Sequence, residues 1–160
     1  MRGAIVVVST SKAAGGGEDR SGPALAAWLA ELGIDVAGTD LIPDDRELIA
    51  TRLRHWADAE HCELIVTTGG TGLSPTDLTP EATAAVIERP VPGIAEAIRS
   101  ASREHTQNWM LSRGIAGTRG RSLIVNFPGN PKAIGETAAA LTGAIGHGLA
   151  LLRGERPPHR

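Results

Sequence analysis

The sequence predicts an α/β fold, a three-layer α/β/α sandwich built around a mostly parallel sheet. Apolar runs rich in β-branched residues alternate with segments whose apolar residues recur at helical spacing. Unbroken apolar runs are typical of parallel strands covered on both faces, and strands that alternate with helices are typical of βαβ units. We therefore expect one mostly parallel sheet with helices on both of its faces.

The first half of the chain contains three predicted strands and two predicted helices. The strands cover residues 4–9, 34–42 and 63–68. The first helix begins near Gly22-Pro23, since proline is tolerated in a first turn, and it ends at Gly33. The second helix has an apolar stripe that consists of Ile49, Leu53 and Trp56.

The second half of the chain is predicted to contain three helices and two strands. The first of these helices begins at Thr79, a typical N-cap residue ahead of a proline in the first turn. Another helix covers residues 94–106, and the two strands cover residues 115–118 and 121–127. The last helix has one apolar stripe, which consists of Ile134, Ala138, Leu141, Ile145, Leu149 and Leu152.

Length and composition limit the class of protein. The chain has 160 residues, and we expect one domain over residues 1–153 followed by a frayed tail over residues 154–160. A formal net charge of −2, with three Trp, one Phe and no Tyr, argues against binding to nucleic acid or to an anionic membrane. The single cysteine, Cys62, fits a reducing compartment, and no apolar run approaches the roughly 20 residues that span a bilayer. We therefore expect a cytoplasmic protein with no membrane or nucleic-acid partner.

Four polar loops follow the predicted strands. Ligands of such sheets bind beyond the carboxyl ends of the strands, where the loops lead into helices. The loops are Ser9–Ser11 with the glycines at 15–17, Asp44–Asp45, Gly69–Asp77 and Asn126–Lys132. All four are rich in backbone donors, hydroxyl groups or carboxylates, so we expect the functional site at this edge.

Thr68–Gly72 is the most informative part of these loops. Glycines allow a tight turn that brings backbone N–H groups close to an anion, and threonines add hydroxyl donors. The loop matches neither the P-loop pattern nor the dinucleotide-binding glycine pattern. A phosphate-binding loop and an ordinary strand-to-helix turn are both compatible with these residues.

Two aspartates accompany the loops, and each has a structural alternative. Asp77 lies in a position where a turn-forming role is common, and Asp44 is a candidate cap for the second helix, with Glu47 as its partner. Together, two carboxylates at neighbouring strand ends beside a phosphate-type loop favour a Mg²⁺ site that serves a nucleotide. The five histidines share no metal-ligand spacing, so a zinc site is not expected.

Several motifs occur along the chain in an order that is typical of one family. They are Leu41–Asp44, Thr67–Gly72, Asp77–Ala82, Pro92–Gly93 with Glu96 and Arg99, Leu111–Arg113 with Ala116–Gly117, and Asn126–Lys132. On these residues the sequence resembles the molybdopterin-binding family of the Mog/MoaB type, which is related to the molybdopterin-binding domains of gephyrin and of its plant counterpart. The resemblance covers essentially the whole chain and implies the fold of that domain.

The resemblance implies molybdopterin adenylyltransferase activity, in which molybdopterin and ATP give adenylylated molybdopterin and pyrophosphate. It matches Asp44 and Asp77 to the catalytic, Mg²⁺-binding carboxylates of the family. It implies contacts to phosphate or pterin from Ser9, Gly69, Gly70, Thr71, Gly72, Thr76, Ser112, Arg113, Asn126, Pro128, Gly129, Asn130 and Lys132. It also implies a homotrimer and hand-over of the product to a molybdenum-inserting enzyme.

The implied reaction agrees with the residue types at the loops. The attacking terminal phosphate of molybdopterin is already anionic at neutral pH, so no general base is needed. The site must then position two anions and neutralise charge. We expect Mg²⁺ on Asp77, with Asp44 as a second candidate ligand, and Arg113 or Lys132 to offset the developing charge.

Other functions remain compatible with the sequence. The main alternative is a non-catalytic protein that binds or carries molybdopterin, which affinity for Mg-ATP would distinguish from a transferase. A different transferase or hydrolase on a related fold is a second alternative. A scaffold is a third alternative, but it would not explain the four polar loops at one edge of the sheet. A contact within a trimer could still use the glycines of the last helix, which are Gly135, Gly143, Gly146 and Gly148.

Overall fold

The computed structural model describes residues 1–156 and 158, so Pro157, His159 and Arg160 of the predicted tail lie outside the described residues. The elements follow in chain order as β1 (Arg2–Val8), α1 (Thr10–Ala13), α2 (Ser21–Glu31), β2 (Asp35–Ile42), α3 (Arg46–Arg54), a π-helical turn (His55–Ala59), β3 (Leu64–Thr68), α4 (Thr79–Ala84), β4 (Arg89–Pro90), α5 (Pro92–Ser102), a 3₁₀ helix (Gln107–Leu111), β5 (Ala116–Arg119), β6 (Ser122–Phe127) and α6 (Pro131–Leu152).

The strands form one sheet in the order β2-β1-β3-β6-β5-β4. Neighbours among β2, β1, β3 and β6 are parallel, whereas β5 runs antiparallel to β6 and β4 antiparallel to β5. Only Gly120 and Arg121 connect β5 to β6, and a connection this short can join only antiparallel strands. Gly120 has a φ of +54°, as a tight hairpin turn requires. The predicted mostly parallel sheet is confirmed.

Helices cover both faces of the sheet. Alternate residues of β1 face two separate cores: Ile5 and Val7 lie in one, and Val6 and Val8 lie in the other. The first core is closed by α2, α5 and α6, and the second by α3 and α4. Covering each leucine or isoleucine in this way stabilises the fold by roughly 1.5–3 kcal/mol. The predicted three-layer α/β/α sandwich is confirmed.

Three elements lack a signal in the sequence, and two helix starts differ from the prediction. The helix α1, the strand β4 and the 3₁₀ helix are too short to show a hydrophobic period. The helix α5 covers Pro92–Ser102, so it begins and ends earlier than predicted. The N-cap of α4 is Leu78, so the prediction of Thr79 as the cap is wrong. The Thr79 hydroxyl donates instead to the carbonyl oxygen of Gly69 (2.9 Å).

The helix α6 ends in a hydrogen-bonded cap at the start of the predicted tail. Gly154 has a φ of +85°, and its N–H donates to the carbonyl oxygen of Leu151 (3.0 Å). The Glu155 N–H donates to the carbonyl oxygen of Ala150 (3.0 Å), which completes a Schellman arrangement. Within the described part of the chain, no helix is long and apolar enough to cross a membrane.

Candidate active site

The loops after β1, β2, β3 and β6 meet at the carboxyl edge of the sheet. The Ser9 N–H donates to the carbonyl oxygen of Ile42 (2.8 Å), which joins the ends of β1 and β2. The Thr68 hydroxyl donates to the carbonyl oxygen of Pro128 (2.8 Å), which joins the end of β3 to the loop after β6. Because these four strands are parallel neighbours, the polar loops that follow them lie side by side.

Gly69 and Gly70 turn the chain sharply at the end of β3. Their φ angles are +92° and +64°, in the left-handed region that favours glycine. A Cβ atom at Gly69 would lie 2.2 Å from the carbonyl oxygen of Val8, and one at Gly70 would lie 2.4 Å from Thr79 Oγ1. The Thr79 N–H donates to the carbonyl oxygen of Gly70 (3.1 Å), which fixes the turn against α4. Both positions therefore require glycine.

The glycine loop retains unused backbone donors. Within residues 1–156 and 158, the N–H groups of Gly70, Thr71 and Gly72 donate no hydrogen bond. Successive unpaired N–H groups in a turn form an anion-binding concavity. This observation supports the phosphate-binding interpretation of the loop over that of an ordinary turn.

Asp44 is held by the first turn of α1. Its Oδ2 accepts hydrogen bonds from the N–H (3.0 Å) and the hydroxyl (2.9 Å) of Thr10. Its Oδ1 borders the glycine loop, since a Cβ atom at Gly70 would lie 3.1 Å from it. The cap of α3 is Asp45, whose Oδ1 accepts a hydrogen bond from the Leu48 N–H (2.8 Å). The alternative role of Asp44 as the cap of this helix is therefore wrong.

Asp77 borders the same loop at Gly72. Its Oδ2 accepts a hydrogen bond from the Ser74 N–H (3.2 Å), and its own N–H donates to the carbonyl oxygen of Ser74 (2.9 Å). A Cβ atom at Gly72 would lie 2.8 Å from Oδ2. The exposed Thr76 hydroxyl is 3.0 Å from the Ser74 hydroxyl. Asp77 thus closes a turn, as its structural alternative predicted, and still lies beside the glycine loop.

The two carboxylates fit a Mg²⁺ ion that also binds phosphate. Among the described residues, Oδ1 of Asp44 and Oδ1 of Asp77 accept no hydrogen bond, so each carboxylate keeps one free oxygen. No three His, Cys, Asp or Glu side chains in the described chain form a metal-binding group. Mg²⁺ needs no such cage, because one or two carboxylates together with substrate phosphates and water complete its shell.

Arg113 clamps the loop that carries the glycines and Asp77. Its N–H donates to the carbonyl oxygen of Thr71 (2.9 Å), and its Nε donates to that of Gly72 (2.7 Å). Its Nη2 donates to the carbonyl oxygen of Asp77 (2.7 Å), and its Nη1 donates to Glu81 Oε1. Each of the three side-chain nitrogens is thus bound to the protein, although 33% of the side chain stays exposed. These contacts support a positioning role, and the role of offsetting reaction charge stays a prediction.

The pair of Arg113 and Glu81 has a consequence for acid stability. The hydrogen bond from Arg113 is the main cause that lowers the pKa of Glu81 from its ordinary value of 4.5. A carboxylate with a lowered pKa stabilises the folded state above the ordinary value, and this stability is lost as the pH falls through the lowered pKa. The ion pair of Arg113 and Glu81 is therefore present at neutral pH and is lost only in acid.

Asn126 lies under the site rather than in it. Its side chain is buried, and its Nδ2 donates to the hydroxyls of Thr67 (3.0 Å) and Thr83 (2.9 Å). Its Oδ1 accepts a hydrogen bond from the Ile115 N–H (3.2 Å). The amide thus connects β3, β6 and α4, and both of its hydrogens are used inside the protein. The structure gives this predicted binding residue a positioning role.

The loop after β6 brings the start of α6 to the site. A Cβ atom at Gly129 would lie 3.3 Å from the Cα of Gly69, so the two glycine turns are in contact. The Asn130 side chain caps α6 by accepting a hydrogen bond from the Lys132 N–H (3.0 Å). Lys132 is exposed, and within the described residues its ammonium group forms no ion pair. It is the predicted cation that remains available to an anionic ligand.

Other residues complete the site. Ser9 caps α1, and Ser112 lies in a segment held by Arg99, whose Nη1 donates to the carbonyl oxygens of Ser112 (3.4 Å) and Gly114 (3.0 Å). The sequence analysis did not identify the positioning role of four residues, which are Thr10, Thr79, Glu81 and Arg99. Their positions fall next to or inside the quoted motifs, but no spacing rule shows which side chains contact a loop.

Comparisons with known proteins identify the family of this chain. The sequence model of the family described as "probable molybdopterin binding domain" matches residues 4–147. The molybdopterin adenylyltransferase of Haemophilus influenzae is 42% identical over 135 residues, which cover 83% of this chain and 68% of the relative. That of Helicobacter pylori strain 26695 is 40% identical over 154 residues, which cover 94% of this chain and 88% of the relative.

A solved structure shares the whole fold. The crystal structure of the molybdopterin biosynthesis enzyme MoaB from Thermus thermophilus superposes with a TM-score of 0.90 at 43% sequence identity. The superposition covers 96% of this chain and 97% of that one. The resemblance identified from the motifs is confirmed. The chain belongs to the molybdopterin-binding domain family of molybdenum-cofactor biosynthesis.

Proposed function

We propose that this protein is a molybdopterin adenylyltransferase, which transfers AMP from Mg-ATP to the terminal phosphate of molybdopterin and releases pyrophosphate. The observation that carries the proposal is the glycine loop with three unpaired N–H groups, bordered by Asp44 and Asp77. Such a loop binds phosphate, and two carboxylates beside it fit the metal ion of a nucleotide. The names of the homologues support the same reaction.

The reaction needs positioning and charge neutralisation more than proton transfer. A terminal phosphate oxygen of molybdopterin forms a bond to the α-phosphorus of ATP. The bond from that phosphorus to the oxygen of the β-phosphate breaks, and pyrophosphate leaves with the electron pair. Mg²⁺ held by Asp44 and Asp77 would supply positive charge to the phosphate oxygens.

The protein's own groups hold the anions. The N–H groups of Gly70, Thr71 and Gly72 are available to a phosphate oxygen. Lys132 and the N-terminus of α6 add positive potential from the neighbouring loop. Preorganised donors of this kind stabilise charge without having to reorganise during the reaction.

Replacing Arg113 with glutamine is expected to lower kcat/KM by about 10²-fold, because a misplaced catalytic loop costs about that much. The variant loses the contacts to the carbonyl oxygens of Gly72 and Asp77. Steady-state pyrophosphate release measures the effect. Glu81→Gln is the matched control, since it leaves those carbonyl contacts in place and should cause a smaller loss. Wild-type kcat/KM in a folded Arg113→Gln protein would rule out the positioning role.

The proposed activity is tested by pyrophosphate release from the purified protein with fresh molybdopterin and Mg-ATP. Release that requires both substrates is the expected result. Omission of molybdopterin, and separately of ATP, gives the controls for ATP hydrolysis and for contaminating pyrophosphate. Tight binding of molybdopterin with no release and no affinity for Mg-ATP would instead support the carrier function.

We also propose a homotrimer, with the exposed face of α6 as a contact. Apart from the adjacent backbone of α6 itself, no described residue lies within 4 Å of a Cβ atom built at Gly135, Gly143, Gly146 or Gly148. Each glycine inside a helix costs roughly 0.5–1 kcal/mol relative to alanine, and a close approach by another chain would explain this cost. Light scattering should give three times the chain mass of 16.6 kDa. A monomer at all protein concentrations would contradict the proposal.

Three further proposals concern the location, the domain and the fate of the product. We place the protein in the cytoplasm, which its single, buried cysteine supports. We propose that residues 1–153 form one domain, which the family match over residues 4–147 supports. The adenylylated product is chemically activated, so a reaction that inserts metal and releases AMP is the natural next step, and we propose hand-over to such an enzyme.

A further inference from the structure

A second polar cleft lies at the opposite end of the sheet, near the starts of β3 and β6. Its volume is about 520 Å³, and pockets for small molecules have volumes of about 300–1,000 Å³. Residues from the turn before β3, from the β5–β6 hairpin and from the end of α6 line it. It shares no residue with the candidate active site, which lies where the strands end.

The cleft contains more arginine than carboxylate. Arg119 binds Asp58 through Nε (2.9 Å) and Nη2 (2.7 Å), and Arg153 Nη1 binds Glu63 Oε1 (3.1 Å). Both carboxylates are therefore neutralised inside the protein. Arg121 lines the same cleft, and its side chain has no hydrogen-bond or ion-pair partner among the described residues. Arg153 also binds Glu155 Oε1 (2.6 Å), and Glu88 Oε2 accepts a hydrogen bond from the Gly120 N–H (3.0 Å). Arg121, which is exposed, is thus the arginine of the cleft that has no carboxylate partner among the described residues.

A hydroxyl in the wall of the cleft also lacks a partner. Ser122 is only 3% exposed and lines the cleft, yet its hydroxyl forms no hydrogen bond within the described part of the chain. No fully enclosed side-chain polar atom of the described residues lacks a partner, so this hydroxyl is reached from the cleft. Hydroxyls with so little exposure usually have a partner, because desolvation without one is unfavourable. The hydroxyl is therefore available to an oxygen atom of a ligand in the cleft.

His61 adds a third donor at an unusual backbone position. Its φ is +52°, and it is the one non-glycine residue with positive φ among the residues described. This conformation is uncommon for residues other than glycine, and His61 lies in the lining of the cleft. A guanidinium, a hydroxyl and an imidazole in one cleft match the donors that bind oxyanions.

We propose that this cleft binds the phosphate group of a phosphorylated small molecule, with Arg121 and the Ser122 hydroxyl as donors and His61 beside them. The planar fork of arginine matches the geometry of phosphate oxygens. The cleft is larger than a phosphate ion, so the remaining volume accommodates the organic part of the ligand. The site is separate from that of adenylyl transfer, and either proposal can fail without the other.

Inorganic phosphate is the probe, and backbone amide NMR of the full chain at constant ionic strength is the measurement. We expect saturable shifts for the amides of His61 and residues 119–122. Phosphate bound at the glycine loop is observed separately, through the amides of residues 70–72. Arg121→Gln should weaken binding in the cleft by about tenfold or more, as expected for the loss of one charge-assisted hydrogen bond. Ser122→Ala should weaken it less.

Arg103→Gln is the control, because it removes the same charge from a residue that does not line the cleft. It should leave the phosphate affinity of the cleft unchanged. Three results would overturn the proposal. They are the absence of saturable shifts at the cleft amides, equal shifts in Arg121→Gln and wild type, and equal shifts with chloride in place of phosphate.

Discussion

Replacing Asp77 with asparagine is expected to reduce the rate of pyrophosphate release by roughly 10²–10³-fold, the loss typical of removing one electrostatic contact to a transition state. Asparagine has nearly the same shape, and its amide oxygen can still accept the hydrogen bond from the Ser74 N–H. The turn should therefore survive, while the negative charge beside the glycine loop is removed. Pyrophosphate release with both substrates present measures the effect.

Asp45→Asn is the matched control for this experiment. It removes the same charge from the loop after β2, and asparagine is as good an N-cap as aspartate, so α3 should keep its start. We expect its activity to stay near that of the wild type. Thermal unfolding of both variants would show that they remain folded. Full activity in Asp77→Asn would show that the metal does not depend on this carboxylate.

Replacing Gly69 with alanine is expected to damage stability and activity together. The new Cβ would lie 2.2 Å from the carbonyl oxygen of Val8, and a φ of +92° is unfavourable for any residue with a Cβ. We expect a loss of about 3 kcal/mol, from the strained conformation and the forced shift of β1 against β3. For a chain of this size that loss lowers Tm by about 6–12 °C.

Gly93→Ala is the control for Gly69→Ala. Apart from its chain neighbours and the adjacent backbone of its own helix, no described residue lies within 4 Å of a Cβ atom built at Gly93, which is in the first turn of α5. The same substitution should be neutral there or stabilise the protein by up to about 1 kcal/mol. Calorimetry of the two variants, with pyrophosphate release at a temperature where both are folded, gives the comparison. Equal stability of Gly69→Ala and wild type would mean that the loop can move away from β1.

Much of the fold could be predicted from hydrophobic pattern alone. Residues 64–68 and 122–127 are buried throughout, as unbroken apolar runs predict for central parallel strands. The sequence analysis identified β5 and β6 as strands, and the structure showed that they pair antiparallel across a connection of two residues. β4 could not be predicted, because two residues carry no period and are fixed only by pairing with β5.

The candidate site could be located from the sequence, but the roles of its residues could not. The loops after the strands were identified as the site because the carboxyl ends of parallel strands lie at the same edge of the sheet. Arg113 and Asn126 were both predicted to contact ligand, which stays a prediction; the sequence did not indicate that their side chains also hold neighbouring elements of the protein together. Asp45 caps α3 although its neighbour Asp44 was the candidate cap.

The sequence by itself determined the layers, the mostly parallel sheet, the family and the edge where the polar loops meet. These properties depend on local periodicity and on ordered motifs, which adjacent residues specify. Tertiary structure alone decided that Thr10 holds Asp44, that Thr79 fixes the glycine turn and that Arg113 clamps the loop of Asp77. Each of these contacts joins residues from separate elements, so it exists only once the sheet has brought those elements together.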